Sequence, residues 1–172
     1  IDYVPAGYCT IYTGLLLMKV KNKKMTFPAG VFLIKHRDKG YLLYDTGYHY
    51  DIKTKLRYGL SRLGTPVQMT EKDQISSLLK ARGIRPEDIT YVMLSHLHPD
   101  QLGGAGFFPN ASFLLTQEVY EVYQKPKLKD LIFKEFLPAS FEKQLRVIKA
   151  NQQNSTFPYR PTCDLFGDES IL

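Results

Sequence analysis

Apolar and polar positions change period several times along the chain, and each change marks an element. Apolar and β-branched residues dominate "YCTIYTGLLLMKV" (8–20), "GVFLIKH" (30–36) and "YLLYDTG" (41–47), which read as strands. The short loop "RDKG" joins the last two and closes on Gly40, the pattern of a hairpin. Residues 48–66 mix Tyr, Lys and Arg with two glycines and Pro66, and read as a loop with one helical turn. From residue 70 the period lengthens. Ile75, Leu78, Leu79 and Ala81 make one helical stripe, Thr70 caps it with Asp73 as reciprocal partner, and Gly83 stops it. "ITYVMLS" (89–95) is short and almost wholly apolar, as in a strand buried on both faces.

The second half alternates. "ASFLLT" (111–116) predicts a strand, and "QEVYEVYQK" (117–125) a helix with Val119, Val122 and Tyr123 on one face, ended by Pro126. "KDLIFKEFL" (129–137) predicts a second amphipathic helix and "QLRVIKA" (144–150) a strand. The polar, proline-bearing stretch 151–164 reads as a loop, and "LFGDESIL" as a resumed strand. A β-rich start followed by αβ alternation predicts an α+β or layered α/β fold.

Composition narrows the class. The chain has 172 residues, 44% apolar and 23% charged, which suits one globular domain over 1–172 with a sizeable core. The best candidate for a membrane span, "GLLLM" at 14–18, is far too short, and no signal-peptide pattern opens the chain. Cys9 and Cys163 lack CxxC spacing and read as reduced, partly buried thiols of a cytoplasmic protein. The net charge of +6 comes from scattered lysines, and residues 95–110 contain no Lys or Arg, which argues against a nucleic-acid groove. Ile1 opens the chain and "DESIL" closes it like a strand stopped early, so the expectation is a piece of a longer protein.

Candidate chemistry concentrates in "SHLHPDQLGG" (95–104), at the C-terminal end of an apolar strand, where open α/β sheets place ligands. His96 and His98, two residues apart, can turn both imidazoles toward one ion, and Asp100 adds an oxygen donor. Gly103 and Gly104 are expected to let the loop turn sharply and start a helix. Other candidates take plainer readings. Ser95 reads as a strand-end hydrogen-bonder, with no GxSxG signal around it, and Cys9 as a core thiol. His36 reads as exposed beside a hairpin turn and His49 as structural or solvent-facing. Tyr48 and Tyr50 share the loop after "DTG" and are candidates to line a substrate pocket.

The order of apolar strand, HxHxD and GG resembles the metallo-β-lactamase superfamily, whose signature is HxHxDH. "YLLYDTG" is similar to that family's hydrophobic-DTG strand. The resemblance implies that Asp45 braces the metal loop, in line with the need of ligating histidines for a partner on their other nitrogen. Within the superfamily, "VPAGYC", "MTEKDQISSLLKARGIRPEDITYVMLSHLHPD" and "FFPNASFLLTQEVYEVY" resemble the N-acyl homoserine lactonase-like branch. The fold so implied is α+β, a layered αββα sandwich of which this chain supplies mainly the N-terminal αβ half. The implied site is one or two zinc ions, other divalent metals being possible. His96 and His98 hold the first ion, and Asp100 and the residue at 101 help to hold the second. Asp100 is also the implied catalytic residue.

The implied activity is hydrolysis of a small-molecule lactone or similar ester by a metal-bound hydroxide. Two departures bear on it. Gln101 stands where the family has a histidine and offers only a neutral amide oxygen, which weakens the second site. The family's later ligands would lie beyond Leu172, and a half sandwich would expose an apolar sheet face, so pairing with the missing half or with another copy is expected. Two other readings stay open, an impaired binding or regulatory pseudoenzyme and a nuclease of the same superfamily.

Overall fold

A computed structural model of the chain describes residues 1–16, 21–55, 59, 65–127, 130–150 and 161–172. Its spine is one seven-stranded mixed sheet of strands β1 (Asp2–Tyr12), β2 (Lys24–His36), β3 (Gly40–Tyr44), β4 (Val67–Gln68), β5 (Ile89–Met93), β6 (Ser112–Thr116) and β7 (Leu145–Ile148), in the order β4-β1-β2-β3-β5-β6-β7. The first four strands pair antiparallel, whereas β3, β5, β6 and β7 run parallel. The antiparallel part takes the β-rich first half and the parallel part the alternating second half, in keeping with the expected α+β class. The helices are short: α1 (Thr13–Leu16), α2 (Ile75–Lys80), α3 (Pro99–Leu102), α4 (Gln117–Gln124) and α5 (Phe141–Gln144).

The core lies on one face of the sheet. Val4, Ala6 and Cys9 of β1 and Ala29, Val31 and Leu33 of β2 alternate inward, meeting Ile75 and Leu79 of α2. Further along, Phe113 packs on Phe141 at 4.9 Å, and Phe141 on Tyr123 at 5.3 Å. On the opposite face Leu42 and Leu114 are buried but lie outside this cluster. Tyr3 and Phe32 pair there at 5.5 Å and are 49% and 43% exposed, as expected for a sheet face without a full covering layer. Tyr91 and Met93 are only half-buried on that side, so β5 is sealed on one face rather than both.

Several boundaries differ from expectation for local reasons. The first strand runs from Asp2 and stops at Tyr12, not at 20, because Thr13 turns the chain. Its buried hydroxyl donates to the Lys21 carbonyl and accepts from the Lys23 amide, both at 2.9 Å. Residues 17–20 lie outside the described residues, as do most of 56–64 and all of 151–160. The expected helix from Thr70 is split. A 3-10 turn at Glu71–Asp73 comes first, Gln74 is extended, and α2 follows. Asp73 accepts from the Thr70 amide at 2.7 Å, and Gly83, at φ 72°, ends the helix as expected.

Two expected elements are not formed. In place of a helix over 129–137, the described part holds a 3-10 turn at Lys134–Phe136, preceded by Leu131 at φ 46°. Ile132, Phe133 and Phe136 are buried all the same, so the apolar stripe is satisfied without a helix. "LFGDESIL" is a loop rather than a strand. The Asp164 carboxylate accepts from the amides of Phe166, Gly167 and Glu169, which competes with any ladder. This loop lies over the second sheet face. Phe166 meets Tyr91 at 5.1 Å and the His36 ring at 5.0 Å. His36 is therefore covered, correcting the expectation of an exposed ring: its Nε2 lies 3.1 Å from Asp168 and 2.9 Å from Ser170, and its side chain is 8% exposed.

Candidate metal centre

Adjacent parallel strands leave a sheet at the same edge. β3 and β5 are such neighbours, so Asp45-Thr46-Gly47 and Leu94-Ser95-His96 emerge side by side. Backbone bonds join the two loops: the Asp45 amide donates to the Met93 carbonyl at 2.8 Å, and the Thr46 amide to the Gln101 carbonyl at 2.7 Å. Thr46 is fully buried. Its hydroxyl donates to the Gln101 carbonyl at 2.6 Å and accepts from the Gly104 amide at 3.1 Å. Sequence reasoning passed over Thr46, although its place inside "DTG" was a signal that a hydroxyl serves that loop.

The glycines work by closeness. Gly103 and Gly104 both have negative φ, and α3 ends at Gly103 rather than beginning there, so the expectation of a sharp glycine turn into a helix is corrected. A Cβ on Gly103 would stand 2.4 Å from the His49 amide nitrogen, and one on Gly104 2.5 Å from the Thr46 carbonyl. The helix start comes instead from Pro99, placed in the first turn where its missing N–H costs nothing. Below, β1 bulges between Pro5 and Tyr8. A Cβ on Gly47, which sits at φ 71°, would fall 2.2 Å from that of Ala6, and the Tyr48 amide donates to the Ala6 carbonyl at 3.0 Å. "VPAGYC" is thus the floor on which the DTG loop rests.

On this frame Leu97 points into the core, while His96 and His98 point out together with ring centroids 4.7 Å apart. One ligand atom each from His96, His98 and Asp100 lies within 4.8 Å of the others. Two imidazoles and a carboxylate at that spacing suit a small divalent cation, with modest closure onto it. Partial burial, then the neighbouring His96, hold the His98 imidazole below its usual pKa, against the opposing pull of Asp100 and Asp130. That keeps its lone pair available near neutral pH.

Gln101 donates its amide N–H to Asp100 Oδ2 at 2.9 Å, while its buried Oε1 has no hydrogen-bond partner. Such an orphaned acceptor is costly unless something meets it. Asp45 is buried at φ 65°, in the left-handed region that aspartate tolerates at some strain. Its carboxylate accepts from the Ser95 amide and the Ser95 hydroxyl, both at 2.8 Å, and Ser95 Oγ is 3.0 Å from His96 Nδ1. Burial pushes Asp45 up to about 6, opposed by the Ser95 bonds. Asp45 therefore touches the metal loop at Ser95 rather than at a histidine.

The other candidates lie apart from this cluster. His49 is stacked between Phe107 at 5.2 Å and Phe136 at 4.8 Å, and its Nδ1 accepts from the Asp51 amide. Tyr48 is buried in the core, and Tyr50 carries Lys53 over its ring at 5.3 Å. Cys9 is a buried thiol, as expected, and Cys163 is also free.

Comparison with known proteins agrees with this arrangement. An N-acyl homoserine lactonase of Bacillus cereus is 29% identical over 176 residues, covering 99% of this chain and 68% of that protein. The N-acyl homoserine lactonase AttM of Azorhizobium caulinodans is 36% identical over 122 residues, 64% of this chain and 46% of its own length. A solved AiiA variant of B. thuringiensis, with N-decanoyl-L-homoserine bound at its active site, matches with TM-score 0.70 at 25% identity, over 87% of this chain and 59% of that one. The chain thus spans between about half and two thirds of these relatives. A family model for the metallo-beta-lactamase superfamily matches residues 27–158, a span that holds both the DTG loop and the histidine loop, and the chain belongs to that superfamily.

Proposed function

We propose that this chain carries the first metal-holding half of a metal-dependent hydrolase that opens a lactone or similar ester. The observation that carries the reading is the convergence of His96, His98 and Asp100 at the edge where β3 and β5 end. These three would hold the ion, zinc being the natural choice for two imidazoles and a carboxylate. The chemistry such an ion supplies when bound is activation of water near neutral pH and polarisation of an acyl carbonyl. The chain's own part is to keep the donors convergent: Thr46 ties the two loops, Asp45 braces Ser95, and the buried Leu97 anchors the loop between the histidines. An acyl homoserine lactone is the substrate class to try first, since the relatives are named for it and one solved relative holds the product N-hexanoyl-L-homoserine at its catalytic metal centre. Free thiols at Cys9 and Cys163 fit a cytoplasmic setting. Among the described residues no helix is long and apolar enough to cross a membrane.

Gln101 shapes the second site. Its amide N–H already binds Asp100, and its carbonyl oxygen is a weaker metal donor than imidazole. The reading is therefore a single ion on these donors, weakly held, and a weakened second site. A second reading, an impaired binding protein of the same fold, draws on the same Gln101–Asp100 bond. Elemental analysis with N-hexanoyl homoserine lactone hydrolysis separates the two. About one zinc per chain, with hydrolysis lost in His96→Ala, is expected of the hydrolase. Zinc bound without turnover in the full-length protein would establish the binding protein. Absence of zinc binding would sink both.

A further inference from the structure

Ser95 stands between the brace and the ligand, and its single hydroxyl proton decides which nitrogen of His96 is free. Both Asp45 oxygens accept from Ser95, one from its amide and one from its hydroxyl. A carboxylate can only accept, so the Ser95 proton is committed to Asp45. Facing His96 Nδ1 at 3.0 Å, Ser95 Oγ then has only lone pairs to offer. A hydrogen bond between them requires the proton to be on Nδ1, which leaves the Nε2 lone pair bare.

We infer that Ser95 is a positioning residue that relays the Asp45 carboxylate to His96 and locks its imidazole in the Nδ1–H tautomer, with Nε2 presented to the ion. The inference rests on the metal reading above for its purpose, but its geometry belongs to the metal-free chain. It also assigns Asp45 a definite route of action. Asp45 sets the direction of the Ser95 hydroxyl, and that hydroxyl sets the ring. Metal-site partners of this kind change metal affinity by roughly 10- to 100-fold when removed.

The test is nitrogen-15 NMR of the histidine rings in the metal-free 172-residue chain near pH 7.5, with His96→Gln to assign the signal. The wild type is expected to show His96 protonated on Nδ1. Ser95→Ala, which keeps the amide bond to Asp45, should move the ring toward the Nε2–H form and weaken zinc binding by roughly 10- to 100-fold. Ser95→Thr, which keeps the hydroxyl, should restore both. If Ser95→Ala does not fold, Asp45→Asn serves instead: its amide N–H would donate to Ser95 Oγ, turn the hydroxyl proton onto His96 Nδ1 and expel the Nδ1–H form. An Nε2–H ring in the wild type, or a tautomer indifferent to these changes, overturns the relay. An Nδ1–H ring in a chain that binds no zinc would instead overturn the proposed function and leave the relay standing.

Discussion

At the scale of single residues, Thr46 and Asp45 tie down the loop that presents the histidine motif. Thr46→Val keeps the shape and the bond from its own amide to the Gln101 carbonyl, but leaves the buried Gly104 amide without its partner. The expected cost is about 1–3 kcal/mol in urea unfolding, the cost of one orphaned buried group. Asp45 gives a pH signature in the metal-free chain. Its folded pKa of about 6 lies above the ordinary 3.8, so between those values the folded state holds a proton that the unfolded state has lost. Stability from this group is therefore full below about pH 4, falls as pH rises to about 6, and is level above that. The whole drop is on the order of 3 kcal/mol. Asp45→Asn, which tolerates the same left-handed backbone, should lack that slope. The difference between the two proteins' unfolding free energies at pH 4 and pH 7 isolates it. The family resemblance implied a bracing role for Asp45 but not its contact with Ser95, because a hydroxyl's direction depends on neighbours fifty residues away.

At the scale of elements, two glycines test closeness against conformation. Gly103→Ala puts a methyl group 2.4 Å from the His49 amide nitrogen and 2.7 Å from the Gly47 carbonyl, both backbone atoms that cannot swing aside. Loss of several kcal/mol is expected, with α3 pushed off the DTG loop and zinc binding weakened. Gly83→Ala meets nothing within 4 Å and suffers only its left-handed backbone at φ 72°. Its expected cost is about 1 kcal/mol, with zinc binding unchanged. A Gly103→Ala chain as stable as wild type would refute the close-approach account. Strands and the α2 region were legible from period and turn residues. The 129–137 stretch was misread because its helical stripe is buried by an irregular chain, with Phe136 stacked on His49 far away in sequence.

At the scale of the whole molecule, the two sheet faces differ. One carries helices and a closed core. The other has an exposed Tyr3–Phe32 pair at one end and the 161–172 loop across the other. Between that loop and the sheet lies a cavity of about 230 Å³, lined by Met93, Ile148, Leu165 and Ile171 among others. Phe166 clasps the loop to Tyr91 and His36, so Phe166→Ala should loosen it, at about 1–2 kcal/mol for a half-buried ring. Binding of a dye that reports exposed apolar surface should rise with it. Unchanged dye binding and stability would mean that the polar His36–Asp168–Ser170 cluster alone secures the loop.

The sequence by itself determined the α+β class, the strand that delivers the histidines and the close spacing of His96, His98 and Asp100. These are local quantities: side-chain period, turn chemistry and residue identity. Only the tertiary structure decided that β3 and β5 are parallel neighbours, that Thr46 and the paired glycines join their loops, and that Ser95 links Asp45 to His96. Those depend on which distant backbones meet, and a hydrogen bond or a close approach has no trace in the order of residues until the chain has folded around it.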